Sequence, residues 1–219
     1  MIRVEAAPEP ESFDEKVRQP GLSALAELVG EPPLTPRPGP RRSKIADRRE
    51  DIPAGALPPF WRESLGDLWH AYEGICAYVS IYIERVTGNG TVDHWIPKSQ
   101  AWEQIYEWSN YRLACPLMNS RKGAVHVALD PFQIENDWFV LNLVTFEVLP
   151  GLALSKELTK KIWSTIDHLN LNDRQCKNVR EDYFVAYQAG DISWSYLCRR
   201  APFVAREVER QGRRRDIKQ

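Results

Sequence analysis
Apolar residues change their spacing repeatedly along this chain, and each change predicts an element. From Trp61 they recur three and four positions apart (Trp61, Leu65, Leu68, Trp69, Tyr72), which predicts a packed amphipathic helix within 58–72. His70 sits beside that face and reads as structural. The pattern then tightens into GICAYVSIYIERVTGNG, a β-branched and aromatic run closed by a Gly-Asn-Gly turn, from which Thr91 and Val92 lead into Asp93-His94. Pro97 keeps that strand from being a central one. SQAWEQIYEW is helical in character with Ser99 as its cap. A second short strand, Tyr111–Ala114, is opened by Asn110, and another helix is predicted from Asn119 onward. Asp130-Pro131 marks a turn, and 137–149 reads as one or two strands. Beyond it Leu158, Ile162, Ile166 and Leu169 share a helix face within 155–169, and two more helices are predicted over 173–189 and 191–211. No internal repeat is visible.

Upstream of Leu57 the pattern is different. Eleven of the sixteen prolines lie in the first 59 residues. Residues 1–20 read as extended, GLSALAELV as a short helix broken by Gly30, and EPPLTPRPGP as irregular or polyproline-like. Between Arg37 and Arg49 six cations face one anion, Asp47. This run is either a solvated linker or a basic strap that lies along a phosphate backbone or grips a partner. The expected organisation is a Pro-rich, basic N-terminal arm over 1–56 with little core of its own, a domain over 57–211 ending in a helical cap, and a frayed basic tail over 212–219.

Composition narrows the function only a little. A net charge of −1 supplies no global attraction to nucleic acid, so any such binding depends on local patches. Four separated cysteines imply neither a disulfide framework nor a complete zinc knuckle. There is no apolar leader and no run near the roughly 20 residues needed to span a bilayer, so the expectation is a soluble, cytoplasmic protein with no membrane partner.

Chemistry concentrates between Gly90 and Gly123, GTVDHWIPKSQAWEQIYEWSNYRLACPLMNSRKG. Hydrolysis of a phosphodiester near neutral pH needs a base that titrates there, which is histidine's range. It also needs a divalent ion to neutralise charge on the phosphate and leaving oxygen. Mg²⁺ takes oxygen ligands, keeps several waters and uses one or two protein groups. His94 is the candidate base, and Asp93 with Asn119 the candidate metal ligands. Because neighbouring side chains on a strand point opposite ways, His94 can face substrate while Asp93 addresses the ion if the backbone bends here. Lys98, Arg121 and Lys122 are candidate phosphate contacts. The plainer alternatives are that Asp93 caps a turn and Asn119 a helix, and that these cations are simply solvated. His126 and His168 read as ordinary surface and helix residues, and Trp95, Trp102 and Trp108 as core.

The pattern Val92-Asp93-His94-Trp95-Ile96-Pro97-Lys98-Ser99, Asn110-Tyr111-Arg112-Leu113-Ala114-Cys115 and Asn119-Ser120-Arg121-Lys122-Gly123 resembles the HNH endonucleases. The resemblance spans about 50 residues, Cys76 to Gly123, and leaves both flanks unexplained. It implies an α+β fold with a ββα-metal core, two short antiparallel strands and a helix around one catalytic ion. It implies His94 as general base, Asp93 and Asn119 as ligands of Mg²⁺ (Mn²⁺ or Ni²⁺ as alternatives), and Asn110 bracing the loop between the strands. Many relatives carry two CxxC pairs that bind a structural zinc. Here the stretches read Cys76-Ala77-Tyr78-Val79 and Cys115-Pro116-Leu117-Met118, so no zinc is expected. Cys76, Val79, Cys115 and Met118 are expected to converge as an apolar cluster in its place. The implied activity is metal-dependent cleavage of DNA, with an RNA-cleaving nuclease and a non-catalytic nucleic-acid-binding or scaffold module as alternatives. The chain also looks similar to HNH nucleases of bacterial anti-phage systems, which implies an ATPase partner protein.

Overall fold
The computed structural model describes residues 1–125 and 129–215. The fold is α+β, with two small antiparallel sheets and seven α-helices among the described residues. Strands β1 (Thr91–His94) and β2 (Tyr111–Ala114) pair with Thr91 opposite Ala114 and His94 opposite Tyr111. Helix α3 (Pro116–Lys122) follows β2 directly, with Pro116 in its first turn, where a missing amide costs nothing. Strands β3 (Phe139–Leu141) and β4 (Val148–Pro150) form the second sheet.

The alternation of β1 decides what lies on each side of it. Thr91 and Asp93 face α3, whereas Val92 and His94 face the segment containing the 3₁₀ turn Phe60–Ser64 and α2 (Leu65–Ala71). With the neighbouring Leu68, Trp69 and Leu113 buried, the strand pair is sandwiched between these two helical layers.

The C-terminal helices are built on clear signals. Ser155 caps α4 (Lys156–His168), Asp173 caps α5 (Arg174–Ala189), and Gly190 ends α5 with φ +94, a conformation glycine adopts without strain. The expected single helix over 191–211 is two, α6 (Trp194–Arg200) and α7 (Pro202–Arg210). Pro202 disfavours helical geometry at Ala201, which leaves the helical region at φ −144, ψ 63, and the chain turns there. The tail is also held as far as it is described: Arg215 donates to the Tyr187 hydroxyl and carbonyl oxygens.

Further expectations are corrected by tertiary contacts. Residues 1–20 are not all extended. A wide π turn, Asp14–Arg18, runs into α1 (Gln19–Leu28), and Pro20 offers no amide to continue a regular ladder there. Met1, Phe13, Val17 and Leu25 are fully buried, so the first 56 residues contribute to the common core and have no separate one. The run after Gly74 is not a strand. It pairs only at Ile75 and Tyr82, and between them folds into a tight turn closed by Cys76 N–H to Ile81 O at 3.0 Å. Ala77 N–H reaches instead to Leu113 O, so the turn caps β2.

SQAWEQIYEW is not a helix either: it holds the 3₁₀ turn Trp102–Gln104, and a second, Trp108–Asn110, begins at its last residue. Side chains take the carbonyls a helix would use: Asn110 occupies Gln104 O, and Tyr111 with His94 occupies Ile105 O. Helix α3 begins three residues earlier than expected, which puts Asn119 in its middle and Arg121 and Lys122 in its last turn, where the helix dipole favours cations. Finally, most of the basic run is paired with carboxylates of the first 51 residues. Arg37 and Arg42 both hold the buried Glu27, Arg49 holds Glu31, Arg48 holds Asp51, and Lys44 holds Asp47.

Candidate active site
The free edge of β1 opens on a cavity of about 630 Å³. Residues from Asn89 to His94 line it in unbroken succession, with Asn119 from α3 on one side and Trp61, Arg62 and Leu65 on the other. Because it follows the strand edge, side chains from both faces of β1 reach it. Asp93 and His94 therefore share one cavity although the strand points them apart.

His94 is held in an aromatic box, with Trp61 and Tyr111 edge-on at 5.0 and 5.1 Å between ring centroids. Its Nε2 lies 2.9 Å from Ile105 O, and a carbonyl can only accept, so the proton sits on Nε2 and the lone pair on Nδ1. Burial pushes its pKa down to about 3, the bond to Ile105 opposes this, and the charges of Lys98 and Lys122 add to it. The ring is therefore neutral at pH 7. Asn110 fixes the loop that supplies that carbonyl: its Oδ1 accepts from Ile96 N–H at 2.7 Å, and its amide donates to Ile96 O and Gln104 O.

Asp93 is buried, with one oxygen accepting from the Tyr78 hydroxyl at 2.5 Å and the other 3.1 Å from Lys122 Nζ. Burial pushes its carboxyl above the usual range, against the pull of Lys122 and Tyr78. Lys122 is accordingly no phosphate contact. It is almost wholly buried, pairs with Asp93 and donates to His94 O at 2.6 Å. Arg121 is also committed elsewhere, to Asp173, the carbonyls of Leu169 and Asn170, and the Cys176 sulfur. Both cations sit at the end of α3, so their geometry follows from the earlier start of that helix.

Lys98 does reach the cavity wall, half-buried with its ammonium 4.1 Å from the centroid of the Trp61 ring. Arg62, exposed on the same wall, is a cation that sequence reasoning missed. Its signal was its place one residue after the Trp61 that boxes His94. Tyr78 was missed too, since nothing in CAYVS announces a bond to Asp93. His126 lies outside the described residues. His168 approaches Lys122 O at 3.2 Å and does not line the cavity.

Asp93 and Asn119 are the residues that would hold a divalent ion at this cavity. Asn119 spends its amide nitrogen on Thr91 Oγ1 at 3.0 Å, which leaves its carbonyl oxygen for another partner, and Thr91 and Asp93 share a strand face. A carboxylate and a carboxamide oxygen are the donor types a hard cation takes, and an ion here would share the Asp93 oxygens with Tyr78 and Lys122. Among the described residues no three His, Cys, Asp or Glu side chains form a metal cage. At the other end of α3, Cys76, Val79, Cys115 and Met118 converge. The Cys115 amide donates to the Cys76 sulfur at 3.4 Å, and Val79, Cys115 and Met118 line an apolar pocket of about 170 Å³. The thiol of Cys115 is drawn down to about 7 by its hydrogen bond with Cys76, whose own thiol is pushed up by burial.

No family model matches the chain, and no curated protein matches it significantly. No helix among the described residues is long and apolar enough to cross a membrane.

Proposed function
We propose that the protein is a metal-dependent endonuclease that hydrolyses phosphodiester bonds in DNA, on an HNH-type ββα core formed by β1, β2 and α3. The observation that carries this reading is His94: a neutral imidazole, fixed at Nε2 by the Ile105 carbonyl, lining the same cavity as Asp93 and Asn119. A divalent ion bound between those oxygens would neutralise charge on the scissile phosphate and leaving oxygen. His94 takes the proton of the attacking water at Nδ1. An approaching phosphodiester brings negative charge that raises the imidazole pKa towards the working range, which a value of about 3 alone would not reach. Lys98 and Arg62 steer the phosphate along the wall, and Asn110 holds the loop that orients the base.

The anti-phage role and an ATPase partner rest on the resemblance of the DHWIPKS stretch alone. The decisive test is nicking of supercoiled DNA in Mg²⁺, Mn²⁺ and Ni²⁺, with RNA as a parallel substrate. His94→Ala is expected to abolish nicking while the protein stays folded, and EDTA to do the same to the native protein. Unchanged cleavage by the variant overturns the proposal, and binding without cleavage in every metal turns it towards the non-catalytic module.

A further inference from the structure
A second pocket, of about 320 Å³, adjoins the reactive cavity. The two share Ala54, Lys98 and Ser99, so a chain leaving one enters the other. The far wall is the segment 49–57, which is anchored. Ile52 and Leu57 are buried in the core, Arg49 pairs with Glu31 at 2.6 Å, and the Tyr106 hydroxyl donates to Pro58 O just beyond. This wall comes from the part of the chain that precedes the strand pair and belongs to none of its chemistry.

Its lining suits a nucleobase better than a phosphate. Trp102 is only half-buried and carries the Arg49 guanidinium 5.2 Å from its ring centroid, a flat cationic and aromatic surface of the kind on which bases stack. Two carboxylates, Glu50 and Asp51, stand on the same wall and are held by Arg48 at 3.3 and 3.0 Å. They would repel a phosphate but accept hydrogen bonds from base N–H groups. Lys98, with no carboxylate at ion-pair distance among the described residues, stands where the pockets meet and is placed for the linking phosphate. A volume at the lower end for ligand clefts admits about one nucleotide and no stacked pair.

We infer that this pocket is a subsite for one unstacked base, in single-stranded or locally opened nucleic acid, next to the bond cut in the adjoining cavity. The inference rests on the proposed nuclease reading for what happens next door, though base binding itself does not. The probe is a fluorescein-labelled single strand of about eight nucleotides, followed by anisotropy in EDTA. Trp102→Ala is expected to weaken binding roughly fivefold or more, Trp102→Phe to restore it, and a blunt duplex of the same length to bind equally to all three proteins. Equal affinity of native protein and Trp102→Ala for the single strand overturns the subsite.

A second arm guards against misfolding of the alanine variant. The native protein with Mg²⁺ is given single strands in which one abasic residue is walked past the cut. Slowing confined to one position supports the subsite, and slowing that is equal at all positions overturns it. If no strand is cut, the nuclease reading fails while the anisotropy arm still decides the subsite.

Discussion

Replacing Lys122 by methionine separates two readings of the same residue. A solvated cation awaiting phosphate can be replaced at a cost within about 0.5 kcal/mol. The Lys122 observed here is buried, 3.1 Å from an equally buried Asp93 carboxylate and 2.6 Å from His94 O. Removing one partner of a buried pair strands the other charge, which costs roughly 3–5 kcal/mol, or about two to four powers of ten in the folding equilibrium. Urea or guanidinium unfolding followed by tryptophan fluorescence at pH 7 reads this directly. Two consequences sharpen the test. Adding Asp93→Asn removes the stranded charge, so the double variant should recover much of the loss. The single variant should also gain stability on acidification. Its Asp93 carboxyl, already raised by burial, rises further without its countercharge. A folded-state pKa above the unfolded one contributes stability that is full at low pH and is lost as pH rises through it. A loss within 0.5 kcal/mol, or strict additivity of the two substitutions, would refute the buried-pair account.

Two other outcomes follow from the same site. Folded His94 titrates at about 3 against an ordinary 6.5, so between those values the unfolded chain binds more protons. Its effect is absent above pH 6.5 and becomes a growing penalty below, about 2 kcal/mol by pH 5; His94→Phe, compared with native protein in EDTA at pH 8 and pH 5, should remove that part of the slope, and identical slopes would show that His94 is not buried neutral. Asn110→Ala leaves one amide and two carbonyls of the 96–104 loop, all part-buried, without partners, and should cost about 2 kcal/mol in urea unfolding; an unchanged midpoint would refute it.

The elements read most faithfully from sequence are those whose signals are local. β2 falls on Tyr111–Ala114, and Ser155, Asp173 and Gly190 mark the ends of α4 and α5 as capping residues do. Elements were misread where a distant group overrides the pattern. The helical spacing of SQAWEQIYEW loses to Asn110, Tyr111 and His94, which claim its carbonyls. The β-branched run after Gly74 loses to Leu113, which accepts the Ala77 amide and turns that run into a cap on β2. The prolines before Leu57 suggested a loose arm, yet buried Phe13, Val17 and Leu25 and the cation pairs onto Glu27 and Glu31 tie it down.

Within the site, residue type was legible but partnership was not, and the reason is the phase of one short helix. Counting α3 from Asn119 makes Arg121 and Lys122 a first turn, pointing cations at a helix end that repels them and so inviting a phosphate. Counting it from Pro116 makes them a last turn, which needs no ligand. That same three-residue difference carries Lys122 beneath β1, onto Asp93, and carries Asn119 to Thr91, on the face Asp93 shares. The cations that line the cavity are then Lys98 and Arg62, on the opposite side of the strand edge. On the proposed nuclease reading, a phosphate drawn to them would pass His94 before it meets Asp93 and Asn119, and the free edge of β1, not the end of α3, would be the path substrate follows.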